Sequence, residues 1–371
     1  MPGKLADGLK VLFGDRLVGK LAETPQGLVA FQYDRDWLES GFSVNPYSLP
    51  LGTEVFIPEW RPFDGLFGAF ADSLPDGWGA LLVDRMLERT GIDPAGVSAI
   101  ERLSIVGSSG RGALRYEPEA GFSVDFSSKN LDELALSCGE ILDNKLVGDF
   151  DAVYLAGGSS GGARPKAYVE DDGEWLVKFP ARFDPPDAGA LEFAYMQCAA
   201  ACGLNVPEFR LFPSRVCAGY FGTRRFDMKD GKRVHMLSAS GIVEVSHRIP
   251  ALDYRSLFQI SNFLTGAREE AKQLFRLMCF NVFSHNYDDH ANNFSWLCEE
   301  GRWHLAPAYD LTYSKGFHHG HMTSVLGAGE PSLDDVLALA KLAGLPADAS
   351  KRVALDIQAA CHELLDKHGL E

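Results

Sequence analysis

The order of apolar positions predicts a β-rich beginning for the chain. Three short apolar runs, separated by polar residues and glycine, are typical of strands joined by tight turns: Val11–Phe13, Leu17–Leu21 and Leu28–Tyr33. Apolar residues then recur at helical spacing over Gly77–Arg89. We therefore expect residues 1–125 to form a β-rich N-terminal subdomain.

The rest of the chain predicts a mixed region followed by a mainly helical one. The patterns predict, in order, a helix over Leu131–Leu142, strands at Ala152–Leu155, Ala167–Val169 and Trp175–Phe179, a helix over Ala190–Cys202, and strands at Glu208–Phe212 and Gly219–Phe226. From Tyr254 onward helices dominate, with interruptions near Asp288 and Asp310. This order indicates an α+β fold with a two-lobed catalytic unit over residues 126–371, divided into a nucleotide lobe (126–240) and a helical C-terminal lobe (241–371).

Composition and charge narrow the class of protein. The 371 residues are 46% hydrophobic and 23% charged, which is ordinary for a globular protein with its own core. The sequence shows neither a signal-peptide pattern nor a run of ~20 apolar residues, so we expect a cytoplasmic protein without membrane contact. The net charge of −16 repels phosphate backbones, so we expect DNA only indirectly, through a partner.

The cysteines and histidines offer weak signals for a metal. Seven scattered cysteines without a C-x-x-C pair are typical of reduced thiols in a cytoplasm. Cys198 and Cys202, one helical turn apart, are either two ligands on one helix face or, as we favour, two small buried apolar side chains. The cluster of His318, His319 and His321 lacks carboxylate or thiol companions nearby in sequence, so we set it aside as a metal site.

A glycine-rich segment is the first candidate for binding phosphate. Glycines let backbone N–H groups approach phosphate oxygens closely, and serine hydroxyls add donors. We assign this loop and the lysine after it to a nucleotide: Gly158, Ser159, Ser160, Gly161, Gly162 and Lys166. A plain turn is the alternative, because glycine-rich segments need structural context to be read as phosphate sites.

Lys178 is the second candidate for contacting phosphate. It lies in the apolar run Trp175–Phe179, a placement similar to that of the strand lysine that contacts ATP phosphates in kinases. A lysine that faces water on an edge strand is the alternative. Glu192, early on the next predicted helix, is assigned as its ion-pair partner at the nucleotide, with a solvated glutamate as the alternative.

The segment Asn286–Phe294 is the strongest candidate for catalysis. Asp288 and Asn293 have the D-x-x-x-x-N spacing of the base and a metal ligand in kinase catalytic loops. A capped turn is the alternative, but the polar run is longer than a cap needs. We assign His290 to the nucleotide, with bracing of the loop as the alternative. Asp310, at the end of an apolar stretch, has the placement of a kinase metal aspartate, so Asn293 and Asp310 are expected to hold Mg²⁺.

With these motifs the sequence resembles the HipA family of serine/threonine protein kinases, the toxins of bacterial toxin–antitoxin pairs. The resemblance covers nearly the whole chain and includes Gly162–Lys166, Val177–Pro180, Cys202–Pro207, Asp288–Ser295 and Tyr309-Asp310. In the N-terminal part, Leu74–Gly79 and Gly112–Leu114 resemble the family's smaller β-rich subdomain. One departure is Asn292, which stands where relatives often have lysine.

The resemblance implies a protein-kinase-like fold and an enzyme that uses ATP and Mg²⁺. It implies the roles given above for Asp288, Asn293, Asp310 and Lys178, and autophosphorylation of the glycine-rich loop at Ser159 or Ser160. It further implies a protein substrate, such as an aminoacyl-tRNA synthetase or another translation factor, and a small helix-turn-helix antitoxin as partner. Two alternatives stay open: a catalytically silent scaffold for a DNA-binding partner, and a small-molecule or lipid kinase that uses the same residues.

Overall fold

The computed structural model describes residues 8–120, 130–143, 145, 150–158, 160–182, 184–314 and 320–365. The chain divides into two compact units, unit 1 (Met1–Gly189 with Arg210–Met236) and unit 2 (Ala190–Phe209 with Leu237–Glu371). The predicted boundary near residue 125 lies outside the described residues and stays a prediction, as does the predicted division at residue 240. None of the described helices is long and apolar enough to cross a membrane.

Unit 1 contains two four-stranded sheets. Its strands are β1 (Gly8–Phe13), β2 (Arg16–Glu23), β3 (Val29–Tyr33), β4 (Leu114–Glu117), β5 (Lys166–Glu170), β6 (Glu174–Lys178), β7 (Phe209–Phe212), β8 (Tyr220–Arg224), β9 (Met228–Lys229) and β10 (Lys232–Arg233). The first sheet has the strand order β3-β2-β1-β4, and the second has the order β5-β6-β8-β7. The short pair β9-β10 forms a separate ribbon.

The helices of unit 1 include three that pack against its second sheet. They are α1 (Arg35–Ser40), α2 (Gly68–Ala71), α3 (Gly77–Arg89), α4 (Ala99–Val106), α5 (Leu131–Leu142) and α6 (Phe150–Gly157), with a 3-10 turn at Pro94–Gly96. Trp78 and Leu82 of α3 share one apolar core with Ile141 of α5, Val153 of α6 and Val177 of β6. Because buried apolar area is the main stabilising contribution to packing, this core fixes α3 against the second sheet.

Local predictions in unit 1 are mostly confirmed. Phe13 pairs with Arg16 across the predicted hairpin, whose turn residue Gly14 has a φ of 58° that suits glycine. Helices α3 and α5 have the predicted bounds. The strand predicted at Ala152–Leu155 is wrong, because these residues lie within α6. A short apolar run carries too few periods to separate a buried helix from a strand.

Unit 2 is mainly helical. Its helices are α7 (Ala188–Ala201), α8 (Ala239–Val243), α9 (Tyr254–Thr265), α10 (Arg268–Phe283), α11 (Leu333–Leu342) and α12 (Ala347–Leu365), with a 3-10 turn at Ala291–Asn293. Its strands are β11 (His235–Ser238), which spans the boundary between the units, β12 (Leu252–Asp253), β13 (Ser295–Glu299), β14 (Arg302–Leu305) and β15 (Thr323–Ser324). The strand order β11-β13-β14 forms a sheet, and β12 pairs with β15.

The hairpin β13–β14 is absent from the sequence prediction, which expected helices to dominate after Tyr254. The first four residues of β13 are all buried, so the strand lacks the alternation of apolar and polar residues that reveals a half-exposed strand. This hairpin follows directly on Asn286–Phe294 and ends five residues before Asp310. It therefore connects the two segments that carry the candidate catalytic residues. The α+β fold class is confirmed.

Candidate functional site

The glycine-rich loop of unit 1 connects α6 to β5. Ser159 lies outside the described residues, so its assignment stays a prediction. Ser160 is fully buried, and its hydroxyl donates to the carbonyl oxygen of Gly157 at 2.6 Å. Gly162 has a φ of 83°, a conformation that glycine adopts without the steric cost of a Cβ atom. The loop therefore has a defined backbone conformation that depends on its glycines.

A segment at the start of α3, Asp76–Gly79, holds this loop. The carboxylate of Asp76 accepts a hydrogen bond from the N–H of Gly162, and the N–H of Trp78 donates to the carbonyl oxygen of Gly162 at 2.9 Å. A Cβ atom on Gly79 would overlap the carbonyl oxygen of Ser160. The two backbones thus touch directly, so this distant segment determines the shape of the loop. Sequence analysis attached no role at the site to it.

Two lysines stand side by side next to the loop. Lys166 and Lys178 are directly opposite each other in the antiparallel register of β5 and β6, so both project from the same face of the sheet. Nζ of Lys166 donates to the carbonyl oxygen of Gly161 at 2.5 Å, and Nζ of Lys178 lies 5.8 Å from the ring centroid of Phe221. Like charges directly opposite in a sheet are destabilising, and an anion bound beside the two ammonium groups would offset that cost.

The alternatives for Lys178 and Glu192 can be judged from their surroundings. Strand β6 lies between β5 and β8, so the interpretation of Lys178 as a lysine on an edge strand is wrong. Glu192 on α7 of unit 2 is only 2% exposed, so the interpretation of a solvated glutamate is also wrong. A buried carboxylate requires polar or charged partners. The ion pair between Lys178 and Glu192 stays a prediction.

The candidate catalytic loop of unit 2 begins after α10 ends at Phe283. Asp288 is exposed, so an acceptor hydroxyl can approach this residue from solvent. The side-chain amide nitrogen of Asn293 donates to the carbonyl oxygen of Asp288 at 2.7 Å. This bond uses the nitrogen of the Asn293 amide, and the oxygen of the same amide is the atom that suits magnesium. The D-x-x-x-x-N spacing therefore closes a turn in which the two residues are adjacent.

Asp289, which sequence analysis did not select, anchors this loop. It is fully buried, and its carboxylate accepts hydrogen bonds from the hydroxyl of Tyr254 at 3.0 Å, Nδ1 of His321 at 2.9 Å and the N–H of Thr323 at 3.1 Å. Burial raises the pKa of Asp289, and the hydrogen bond from His321 opposes that rise. Sequence analysis found no carboxylate near His321 along the chain, but the fold brings the carboxylate of Asp289 into contact with it. His318 and His319 lie outside the described residues.

His290 braces the catalytic loop. It precedes the 3-10 turn Ala291–Asn293, and its Nδ1 accepts a hydrogen bond from the N–H of Asn292 at 3.3 Å. That bond places the ring proton on Nε2 when the imidazole is neutral. The bracing interpretation is therefore observed, and contact with a nucleotide stays a prediction.

Asp310 lies on a segment tied to the same loop. Its φ of 58° is uncommon for a residue with a Cβ atom, and such backbone conformations cluster at functional sites. The hydroxyl of the preceding Tyr309 donates to the carbonyl oxygen of Asn292 at 2.5 Å. Asn293 and Asp310 thus belong to connected segments of unit 2, and their oxygens are the donors that a hard divalent cation prefers. The residues fit Mg²⁺, as the glycines and lysines of unit 1 fit phosphate.

Two family models match the chain. The model of the HipA-like C-terminal domain matches residues 158–365, and that of the HipA N-terminal domain matches residues 9–117. The chain belongs to the HipA family. A relative from Sinorhizobium fredii, named "Putative kinase Y4mE", is 28% identical over 339 residues, covering 82% of this chain and 76% of the relative.

A solved structure shows the same fold. HipA from Shewanella oneidensis MR-1, in a complex described as a toxin–antitoxin system of HipA, HipB and its operator DNA, matches with a TM-score of 0.70 at 19% identity. The match covers 96% of this chain and 90% of that one. The predicted kinase-like fold of the HipA family is confirmed.

Proposed function

We propose that this HipA-family protein is an ATP- and Mg²⁺-dependent serine/threonine protein kinase. The observation that carries the proposal is the arrangement of two adjacent aspartates. Asp289 is buried and holds the loop, whereas Asp288 is exposed and has its carbonyl oxygen bonded by Asn293. A base for phosphoryl transfer must be both accessible and held in position, and this arrangement supports both requirements.

Each unit supplies a different part of the chemistry. In unit 1, the N–H groups of the glycine-rich loop and the ammonium groups of Lys166 and Lys178 bind the phosphates of ATP. In unit 2, Asp288 accepts the proton of the acceptor hydroxyl, and Asn293 and Asp310 would hold magnesium. When bound, magnesium neutralises charge on the transferred phosphoryl group.

Autophosphorylation of the glycine-rich loop, at Ser159 or Ser160, is part of the proposal. The hydroxyl of Ser160 is enclosed and bonded to Gly157, so its phosphorylation requires the loop to leave the conformation described above. A phosphoserine carries about −1.5 to −2 charges and would compete with ATP phosphates for the same N–H groups and lysines. Modification would therefore switch the enzyme off.

The proposed substrate and partner follow from the family. The HipA structure from Shewanella oneidensis contains HipB and operator DNA, and we propose a small helix-turn-helix antitoxin as partner of this chain. The net charge of −16 favours contact with DNA through that partner instead of directly. A translation factor such as an aminoacyl-tRNA synthetase is the proposed protein substrate.

Transfer from labelled ATP tests the proposed activity. Phosphatase-treated protein should incorporate the γ-phosphate in the presence of Mg²⁺, and mass spectrometry should locate it on the glycine-rich loop. Chelation of Mg²⁺ should abolish the transfer. If neither the chain itself nor added serine-containing proteins gain label, while lipids or small metabolites do, the protein kinase proposal is wrong. If nothing gains label, the protein is a silent scaffold.

Calorimetric titration tests the proposed magnesium ligands. Asp310→Ala and Asn293→Ala should weaken binding of ATP when Mg²⁺ is present, because each removes a metal ligand, and should leave binding of ATP without metal unchanged. Lys178→Met should weaken binding under both conditions. An equal loss with and without Mg²⁺ in the first two variants would contradict their role as metal ligands.

A further inference from the structure

Three cysteines meet inside unit 2. Cys198 lies on α7, Cys202 directly follows the last residue of that helix, and Cys361 lies on α12. Their sulfur atoms all lie within 4.8 Å of one another. All three side chains are buried, at 1%, 8% and 2% exposure. Sequence analysis favoured two small buried apolar side chains for Cys198 and Cys202 and did not connect them with Cys361, which lies far away along the chain.

The spacing of the sulfurs suits a metal ion. A cation with sulfur ligands at ~2.3 Å requires sulfurs that lie about 3.8 to 4.0 Å apart. The sulfurs lie at most 4.8 Å apart, which exceeds the required spacing by no more than about 1 Å. Small rotations of the Cys side chains can close that difference.

The local charge also suits a site of thiolates. Arg276 on α10 donates from Nη1 to the carbonyl oxygen of Cys202 at 3.1 Å, which holds a guanidinium group at the C-terminal end of α7. A monovalent or divalent cation with three thiolates carries a net charge of −2 or −1. A fixed arginine beside this group offsets part of that negative charge.

We propose that Cys198, Cys202 and Cys361 together bind one thiophilic metal ion, Cu⁺ or Zn²⁺. Soft thiolate ligands select these cations among those available to proteins. The three thiols bind as thiolates, so three protons pass to the solvent as the ion enters. The bound ion would join α7 to α12, and α7 also carries Glu192.

Titration with the two metals tests the site. Reduced, full-length protein is titrated without oxygen with Cu⁺ or with Zn²⁺, against a chromophoric chelator. We expect one ion per chain, a sulfur-to-metal absorption band with Cu⁺, and a higher unfolding temperature on binding. Cys361→Ala should weaken binding at least about 100-fold, because loss of a direct ligand should exceed the 10–100-fold loss typical of outer-shell changes. Cys217→Ala, a change at a half-buried cysteine of unit 1, should bind as the wild type does.

A second measurement needs no variant. Cysteine alkylation of the wild-type chain, followed by mass spectrometry, should show that added metal protects Cys198, Cys202 and Cys361 together. Binding of neither ion, or unchanged binding by a folded Cys361→Ala protein, would overturn the proposal. Protection confined to other cysteines would overturn it as well, even if Cys361→Ala fails to fold.

Discussion

The glycine-rich loop of unit 1 and the catalytic loop of unit 2 are held in place by different kinds of contact. The first is held at its backbone, since Gly79 allows the start of α3 to touch the carbonyl oxygen of Ser160 and the N–H of Gly162 donates to the carboxylate of Asp76. The second is held by side chains, since Tyr254 and His321 hydrogen-bond the buried carboxylate of Asp289. A loop proposed to bind phosphate with its N–H groups is thus held from outside at its peptide groups, and inside the loop the hydroxyl of Ser160 bonds the carbonyl oxygen of Gly157. The catalytic loop, proposed to react through the carboxylate of Asp288, is held in place by the carboxylate of the next residue, Asp289.

Asp289→Ala should have the largest effect on stability. It would leave the hydrogen-bonding groups of Tyr254, His321 and Thr323 buried without their shared acceptor, and broken buried networks of this kind cost about 3–5 kcal/mol. Urea unfolding followed by circular dichroism measures the loss. Asp288→Ala is the matched control, because Asp288 is exposed. It should change the free energy of unfolding by less than ~0.5 kcal/mol.

Equal stability of the two variants would show that Asp289 does not anchor the loop. A large loss in Asp288→Ala would equally contradict the contrast between the two aspartates.

The buried histidine of unit 1, His235, should make the stability of the protein depend on pH. Nε2 of His235 donates to the carbonyl oxygen of Val44 at 2.8 Å, and burial lowers the pKa of His235 from 6.5 to about 4. The unfolded chain therefore binds more protons between these two pH values. Stability from this group is fully present above pH ~6.5 and is lost as the pH falls towards 4, by up to about 3 kcal/mol.

His235→Gln tests this pH dependence, because an amide can donate to Val44 but does not titrate. The difference in free energy of unfolding, wild type minus variant, should decrease as the pH is lowered from 7 to 4.5. A difference that stays constant over this range would contradict a neutral, buried His235.

Gly79→Ala tests the backbone contact at the glycine-rich loop. The added methyl would overlap the carbonyl oxygen of Ser160, so the loop or α3 must shift, at a cost of about 1–3 kcal/mol. Binding of ATP should weaken as well, because the loop changes shape. Gly96→Ala is the control, since its methyl would meet no atom within 4 Å. If both variants unfold and bind ATP alike, the contact does not shape the loop.

Local sequence signals predicted the elements that depend on local structure. The hairpin around Gly14 and helices α3 and α5 follow from turn residues and apolar spacing within each segment. The D-x-x-x-x-N spacing likewise identified two residues that the fold brings together through one hydrogen bond. Helix α6 was mistaken for a strand because its apolar run is too short to show a period.

The contacts that support both loops could not be predicted in this way. Asp76 reaches Gly162 across 86 positions of sequence, and His321 reaches Asp289 across 32. Pairings of this kind follow from the packing of α3 and from the course of the chain after β14, and neither leaves a pattern within a single segment. The third cysteine beside Cys198 and Cys202 was missed for the same reason.

The rate of phosphoryl transfer by Asp288→Asn is the most direct test of the account. This change keeps the size of the side chain and removes its ability to accept a proton, so the rate of transfer from labelled ATP should fall at least ~100-fold while the fold is kept. Asp356→Asn, at an exposed position on α12, should transfer phosphate at the wild-type rate. A folded Asp288→Asn protein with the wild-type rate would contradict the proposal that this carboxylate is the catalytic base.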